Sequence, residues 1–137
     1  MKAKGYIFSR PFMGERVPQS VQNLVLRNYC SNNKIIFELS STEYAMEESY
    51  YVLNKLINDE KYKSIIFYSL FQLPENDKKR ISIIKKIISK KKVAIFALEG
   101  ISLKNKKEIE DIENIWLIKK ALKKSLSIKE AINSCRK

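Results

Sequence analysis

Four short apolar runs, each followed by a stretch with helical periodicity, constrain this chain more than any other feature. Residues 4–9 (KGYIFS), 34–39 (KIIFEL), 64–69 (SIIFYS) and 93–98 (VAIFAL) are rich in β-branched and aromatic side chains and have the length of strands. The third is continuously apolar rather than alternating, as in a strand buried on both faces of a parallel sheet. After them come Val21, Leu24, Val25 and Tyr29, then Leu53, Leu56 and Ile57, then Ile81, Ile84, Ile87 and Ile88, then Ile109, Ile112 and Trp116, all at helical spacing. Strand and helix thus alternate four times. This predicts a three-layer α/β/α domain with a mostly parallel four-stranded sheet in the order 2-1-3-4, since right-handed crossovers leave few other topologies. In that order the first and fourth helices share one face of the sheet, and the second and third share the other.

Local signals set the boundaries. Pro18 suits the first residue of helix one, and residues 31–33 (SNN) end that helix. A polar cluster, residues 40–43, follows strand two, and Asn76 or Asp77 caps helix three. Ser127 and Glu130 form a capping-box pattern that opens a short last helix. The expected organisation is one α/β domain over residues 1–125 and a C-terminal helical tail over 126–137, one domain being what 137 residues allow.

The net charge of +12 lies wholly in the second half: residues 1–60 carry equal numbers of acidic and basic side chains. Most of the excess is Lys at helical spacing, in residues 78–92 and 119–124, and reads first as a solvated helix surface. Helices three and four on opposite faces would keep these lysines apart, so nucleic acid is not an expected partner. With no His, imidazole bases, Ser-His-Asp triads and His-bearing metal sites are excluded from the chain. Cys30 and Cys135 form no CxxC and are too few for a thiolate site, so they read as reduced thiols, with no metal and no cofactor expected. No long apolar run or secretory h-region is present, which points to a cytoplasmic protein without a membrane segment.

Ligands of open α/β sheets bind beyond the carboxyl ends of the strands, near the switch point. Those ends carry Ser9, Arg10, Arg16 and Gln19 after strand one, Glu43 and Tyr44 after strand two, Tyr68, Ser69 and Gln72 after strand three, and Glu99 after strand four. The first loop holds two of only five arginines in a Lys-biased chain, which suggests that the forked guanidinium matters, as it does for phosphate or carboxylate. Arg10 and Arg16 are therefore expected to hold an anion, with Gln19, Ser69 and Gln72 bonding hydroxyls and Tyr44 or Tyr68 stacking on a ring. Glu43 and Glu99 are the carboxylates available for proton transfer, and Ser9 is the candidate nucleophile, though no His can deprotonate it.

Gly5-Tyr6, Gln19 and Gln22, Leu70 and Leu73, and residues 99–101 (EGI) resemble the catalytic domain of serine recombinases of the resolvase and invertase type, over much of residues 4–120. The resemblance implies a resolvase-like variant of the flavodoxin-like fold. The family's decisive residues are replaced, however. Phe8 stands at its arginine position, Arg10 at its nucleophilic serine with Ser9 one residue early, and Phe71, Gln72 and Glu75 at the acid and two arginines of its later motif. An active recombinase is therefore not expected. A longer set of motifs, GYIFSRPFMGERVPQSVQNLVLRNYC, STEYAMEESYYVL, FYSLFQLPEN, FALEGI and IENIWLIKKAL, resembles the sporadic carbohydrate cluster proteins of bacterial surface-polysaccharide gene clusters. This second resemblance implies a role in making lipopolysaccharide, capsule or another surface glycan.

Together these readings lead to one expectation and one alternative. The expectation is a protein that binds or converts a phosphorylated or nucleotide-linked sugar by metal-free acid-base chemistry, as an isomerase, epimerase or lyase would. The alternative is a catalytically inactive recombinase-like module that binds nucleic acid or a partner biosynthetic enzyme. A homodimer is expected through the apolar face of the helix bearing Trp116, as the recombinase resemblance implies.

Overall fold

In a computed structural model describing residues 1–135, the alternation seen in the sequence becomes five strands and four α-helices. These are β1 (Lys2–Phe8), α1 (Gln19–Asn32), β2 (Ile36–Glu43), α2 (Tyr51–Asn58), β3 (Ser64–Phe67), α3 (Asp77–Ser89), β4 (Val93–Phe96), β5 (Ile101–Leu103) and α4 (Lys107–Cys135). The sheet order is β2-β1-β3-β4-β5, with the first four strands parallel as expected and β5 antiparallel to β4. The fifth strand corrects the four-stranded prediction. Gly100, at φ 67°, turns the chain back and its N–H donates to Phe96 O at 2.9 Å, so Ile101 pairs with Phe96. Three residues are too few to show a strand period.

β2 also runs further than expected. Residues 40–43 extend the strand instead of forming a loop after it, with Ser41, Thr42 and Glu43 paired to Tyr6, Ile7 and Phe8. The pairing is irregular between Lys4 and Tyr6, and Gly5 at that point allows a close approach. A Cβ on Gly5 would stand 2.3 Å from Ser40 Oγ and 3.0 Å from Ser40 Cα.

The largest correction concerns α4. One side of the sheet buries Tyr6, Phe8, Ile65, Phe67 and Phe96 beneath α2 (Leu53, Leu56, Ile57), α3 (Ile83, Ile84, Ile87) and α4 (Ile112, Trp116) together. The other side buries Ala3, Ile7, Ile66 and Ile95 beneath α1, through Leu26 and Cys30. The expected helix placement assumed that α4 follows a parallel strand through a right-handed crossover. The antiparallel β5 breaks that assumption, and α4 docks beside α3. Arg80 of α3 reaches Glu113 of α4 with Nε–Oε2 2.7 Å and Nη2–Oε1 2.8 Å, and its guanidinium lies 4.5 Å from the Trp116 ring centroid. The two lysine-rich helices therefore share one face, and the reason for setting nucleic acid aside falls.

α4 is one continuous helix, so Ser127–Glu130 lie inside it and do not open a second. Past Trp116, Leu117, Ile118, Leu122 and Leu126 are exposed. Of the expected tail, residues 136 and 137 lie outside the described residues. No helix among the described residues is long and apolar enough to cross a membrane.

Candidate functional site

Where β1 and β3 separate toward their neighbours, their carboxyl ends open onto a cavity of about 310 Å³ on the α2–α3–α4 side. Phe8, Phe12, Tyr50, Phe71 and Leu73 form its apolar wall. Arg10 is the charged group built into that wall. It is 9% exposed, and its guanidinium lies 4.2 Å from the Phe8 ring centroid and 5.0 Å from that of Tyr50. Its Nη1 donates to Tyr44 O at 2.9 Å and to Met46 O at 3.1 Å, which fastens the β1–α1 loop to the β2–α2 loop. Burial pushes the Tyr50 phenol upward in pKa, and the charge of Arg10 beside it pulls the other way. Glu47, Glu48, Glu75 and Lys79 complete the rim, with Lys79 paired to Glu48 at 3.4 Å. Carboxylates outnumber cations on that rim, so the cavity disfavours a ligand with more than one anionic group.

Glu43 is almost fully buried, with its oxygens filled. Oε1 accepts from Tyr6 Oη (2.8 Å) and the Leu53 amide (3.2 Å); Oε2 accepts from the Tyr44 and Val52 amides (each 3.1 Å) and Ser49 Oγ (3.3 Å). The carboxylate thereby caps the first turn of α2, whose own N-cap residue, Tyr50, offers no side-chain bond. Ser9 Oγ donates to Glu43 O at 3.1 Å.

A second polar chain runs from the partly exposed Glu99 through the buried Ser69, Gln72 and Gln22 to β1. Ser69 Oγ donates to Glu99 Oε2 at 2.8 Å and accepts from the Phe71 amide at 3.1 Å, while Glu99 Oε1 takes the Leu70 amide at 2.8 Å. Gln72 accepts from the Ser69 amide at 3.2 Å and donates to Gln22 Oε1 at 3.1 Å. Gln22 closes the chain on Phe8, accepting from its amide and donating to its carbonyl, each at 2.9 Å. Ser69 and Gln72 thus form a capping box around the 3₁₀ turn Leu70–Gln72. Tyr68 is buried against Phe12 on the α1 side, where burial, then Glu15 and Glu99, raise its phenol pKa.

The expected site residues therefore separate into groups. Ser9, Glu43, Ser69, Gln72 and Glu99 are joined in networks that hold the loops; Arg10 alone lines the cavity; Arg16, Gln19 and Tyr44 are exposed. Tyr50, Glu47 and Glu48 line the cavity without having stood out in the sequence, and Phe71 and Glu75 line it too, having stood out there only as replacements in the recombinase motif. Arg80, the one arginine in the lysine run of α3, carries the same signal that marked Arg10. Among the described residues no group of three or more Cys, Asp or Glu is placed to hold a metal ion.

Sheet order, the antiparallel edge strand and the three helices on one side define a three-layer α/β domain. The architecture is similar to a resolvase family site-specific recombinase from Streptococcus pneumoniae, at TM-score 0.62 and 14% identity over 98% of this chain and 99% of that one. It is also similar to the N-terminal catalytic domain of TP901-1 integrase, at TM-score 0.62 and 17% identity over 90% of this chain and 98% of that one. At such identities the likeness is one of fold. No protein-family model and no curated protein sequence matches the chain.

Proposed function

We propose that this domain binds a small phosphorylated or carboxylated sugar in the cavity at the carboxyl ends of β1 and β3, in the service of bacterial surface-carbohydrate synthesis. The observation that carries the reading is the burial of Arg10 in an aromatic wall, a setting in which a charge-assisted bond to one anionic group gains strength and aromatic faces receive a sugar ring. The role is binding more than conversion, because the carboxylates expected to move protons, Glu43 and Glu99, already accept hydrogen bonds from the protein. A nucleotide-linked sugar fits this cavity less well, since its diphosphate would meet Glu47, Glu48 and Glu75. The test is a calorimetric screen of hexose phosphates and sugar acids with the parent and Arg10→Lys proteins. Saturable binding weakened about tenfold by the loss of the fork supports the reading; equal affinity for both proteins refutes it.

A second reading, a recombinase-like module that contacts nucleic acid or a partner enzyme, is favoured by the lysines of α3 and α4 sharing one face. Self-association belongs to the same reading, through the exposed Leu117, Ile118, Leu122 and Leu126 of α4. Duplex titration at two salt concentrations, with light scattering for mass, tests both parts. No binding at low salt together with a monomeric mass disposes of it.

A further inference from the structure

At the opposite edge of the sheet, the amino ends of β1, β3 and β4 surround a second basin of about 470 Å³, larger than the cavity at the carboxyl edge. Lys2, Lys61, Lys63 and Lys91 line it, against one carboxylate, Glu38. None of these four ammonium groups takes part in an ion pair among the described residues. Tyr62 forms part of the wall, with the Lys4 and Lys61 ammonium groups 5.2 and 5.4 Å from its ring centroid.

The loop that carries Lys61, Tyr62 and Lys63 is fixed from beneath. Lys92, 5% exposed, donates from one Nζ to Leu56 O at 3.2 Å, to Asp59 O at 2.5 Å and to Tyr62 O. These bonds tie the end of α2 and the following loop to the start of β4, and the Val93 amide bonds Lys63 O at 3.0 Å. Burial lowers the Lys92 pKa, so its charge is kept there at a cost that its three acceptors offset. Lys91 stands in the left-handed region at φ 57°, and its amide bonds Ile88 O at 2.9 Å, which fixes the turn on the far side. Lys61, Lys63 and Lys91 thus stand exposed on fixed turns, with Lys2 at the start of β1, and lysine ammonium groups bind phosphate as point charges.

We propose that this basin is a binding site for a diphosphate or triphosphate group, carried by a nucleotide or present as inorganic pyrophosphate. Four cations against one anion suit two or more linked phosphates better than one, and the volume admits a nucleotide. The site is independent of the cavity that holds Arg10.

Calorimetry at low salt with sodium pyrophosphate, ADP and orthophosphate is the test. Pyrophosphate is expected to bind saturably at one site, about tenfold more tightly than orthophosphate, and the double variant Lys61→Gln/Lys63→Gln to weaken it by about tenfold or more. Both replaced side chains are exposed, so the melting temperature without ligand should not change. Lys85→Gln/Lys86→Gln removes the same charge from α3 outside the basin and should alter binding by less than about twofold. Arg10→Lys should leave it unaltered, which separates this site from the cavity. Tyr62→Leu distinguishes the two sources: loss of ADP affinity alone indicates the nucleotide, and equal affinity for ADP and pyrophosphate in both proteins indicates the inorganic ion. Equal losses in the two lysine pairs, or no saturable binding, would overturn the proposal.

Discussion

The phenol of Tyr6 donates a 2.8 Å hydrogen bond to Glu43 Oε1, linking adjacent strands through two buried side chains. Glu43 then caps α2 with its remaining acceptor sites, so sheet and helix share one carboxylate. Glu43→Gln puts an amide N–H₂ among donors and should cost about 3–5 kcal/mol, while Tyr6→Phe, which leaves the helix cap in place, should cost about 1–2 kcal/mol. Urea unfolding measures both. A Glu43→Gln loss below about 1 kcal/mol would show that the carboxylate does not organise α2.

The same pair makes the fold sensitive to alkali. Burial first, and then the Glu43 charge, hold the Tyr6 pKa well above the ordinary phenol range; burial also raises Tyr50 and Tyr68. A phenol with a folded pKa above its unfolded value of about 10 contributes stability that is complete below that pH and lost as pH rises further. The melting temperature should therefore fall above about pH 10, with a shallower fall in Tyr6→Phe. Parallel curves for the two proteins would exclude Tyr6 as the source.

Much of this was legible in the sequence, and the reasons for the rest are local. The apolar runs marked the first four strands, because periodicity reports burial directly, and their alternation with helices gave the order through the right-handed crossover rule. β5 escaped because Ile101–Leu103, at three residues, is too short to repeat a strand pattern, and with it went the side on which α4 packs. At the carboxyl edge, sequence position identified which polar residues gather there but not how they are used. Glu43 reads equally well as a free carboxylate or as a helix cap until the amides of Val52 and Leu53 are in place around it. The α1 pattern likewise gives no sign that Gln22 turns inward to bond Phe8.

Gly5 shows what the close pairing of β1 and β2 requires. A methyl group there meets Ser40 at 2.3 Å from its Oγ and 3.0 Å from its Cα, and the backbone atom cannot rotate away. Gly5→Ala should destabilise the domain by about 1–3 kcal/mol through strain at the strand pair. The double variant Gly5→Ala/Ser40→Gly removes the hydroxyl and should recover part of the loss in thermal unfolding. No recovery would place the strain elsewhere.

Arg10 serves structure as well as any ligand. Its Nη1 bonds to Tyr44 O and Met46 O mean that Arg10→Ala should lower stability by about 1–3 kcal/mol besides removing the anion partner. Affinity and stability must therefore be separated, and Arg10→Lys, which keeps the charge, is the better probe of ligand binding. An unchanged melting temperature for Arg10→Ala would show that the two loops hold together without it.

Arg80 is the latch between α3 and α4. It is 2% exposed, pairs with Glu113 through Nε and Nη2, reaches Asp77 at 2.7 Å, bonds the Pro74 and Glu75 carbonyls at 3.1 Å each, and covers the Trp116 ring. Arg80→Met leaves Glu113 and the Pro74 carbonyl without their partner, while Glu75 O keeps Lys120 Nζ at 2.7 Å, and should cost about 3–5 kcal/mol. Trp116 is the only tryptophan, so partial release of α4 should appear as a red shift in its emission before the sheet unfolds. Acid should act on the same contact. Hydrogen bonds from Lys120 and then Arg80 lower the Asp77 pKa, so its contribution is complete above the unfolded carboxyl value of about 3.9 and is lost as pH falls through the lower folded value. An early red shift on acidification, absent in Asp77→Asn, would identify Asp77 as the acid-sensitive end of the latch. The same shift in both proteins would assign it to another group.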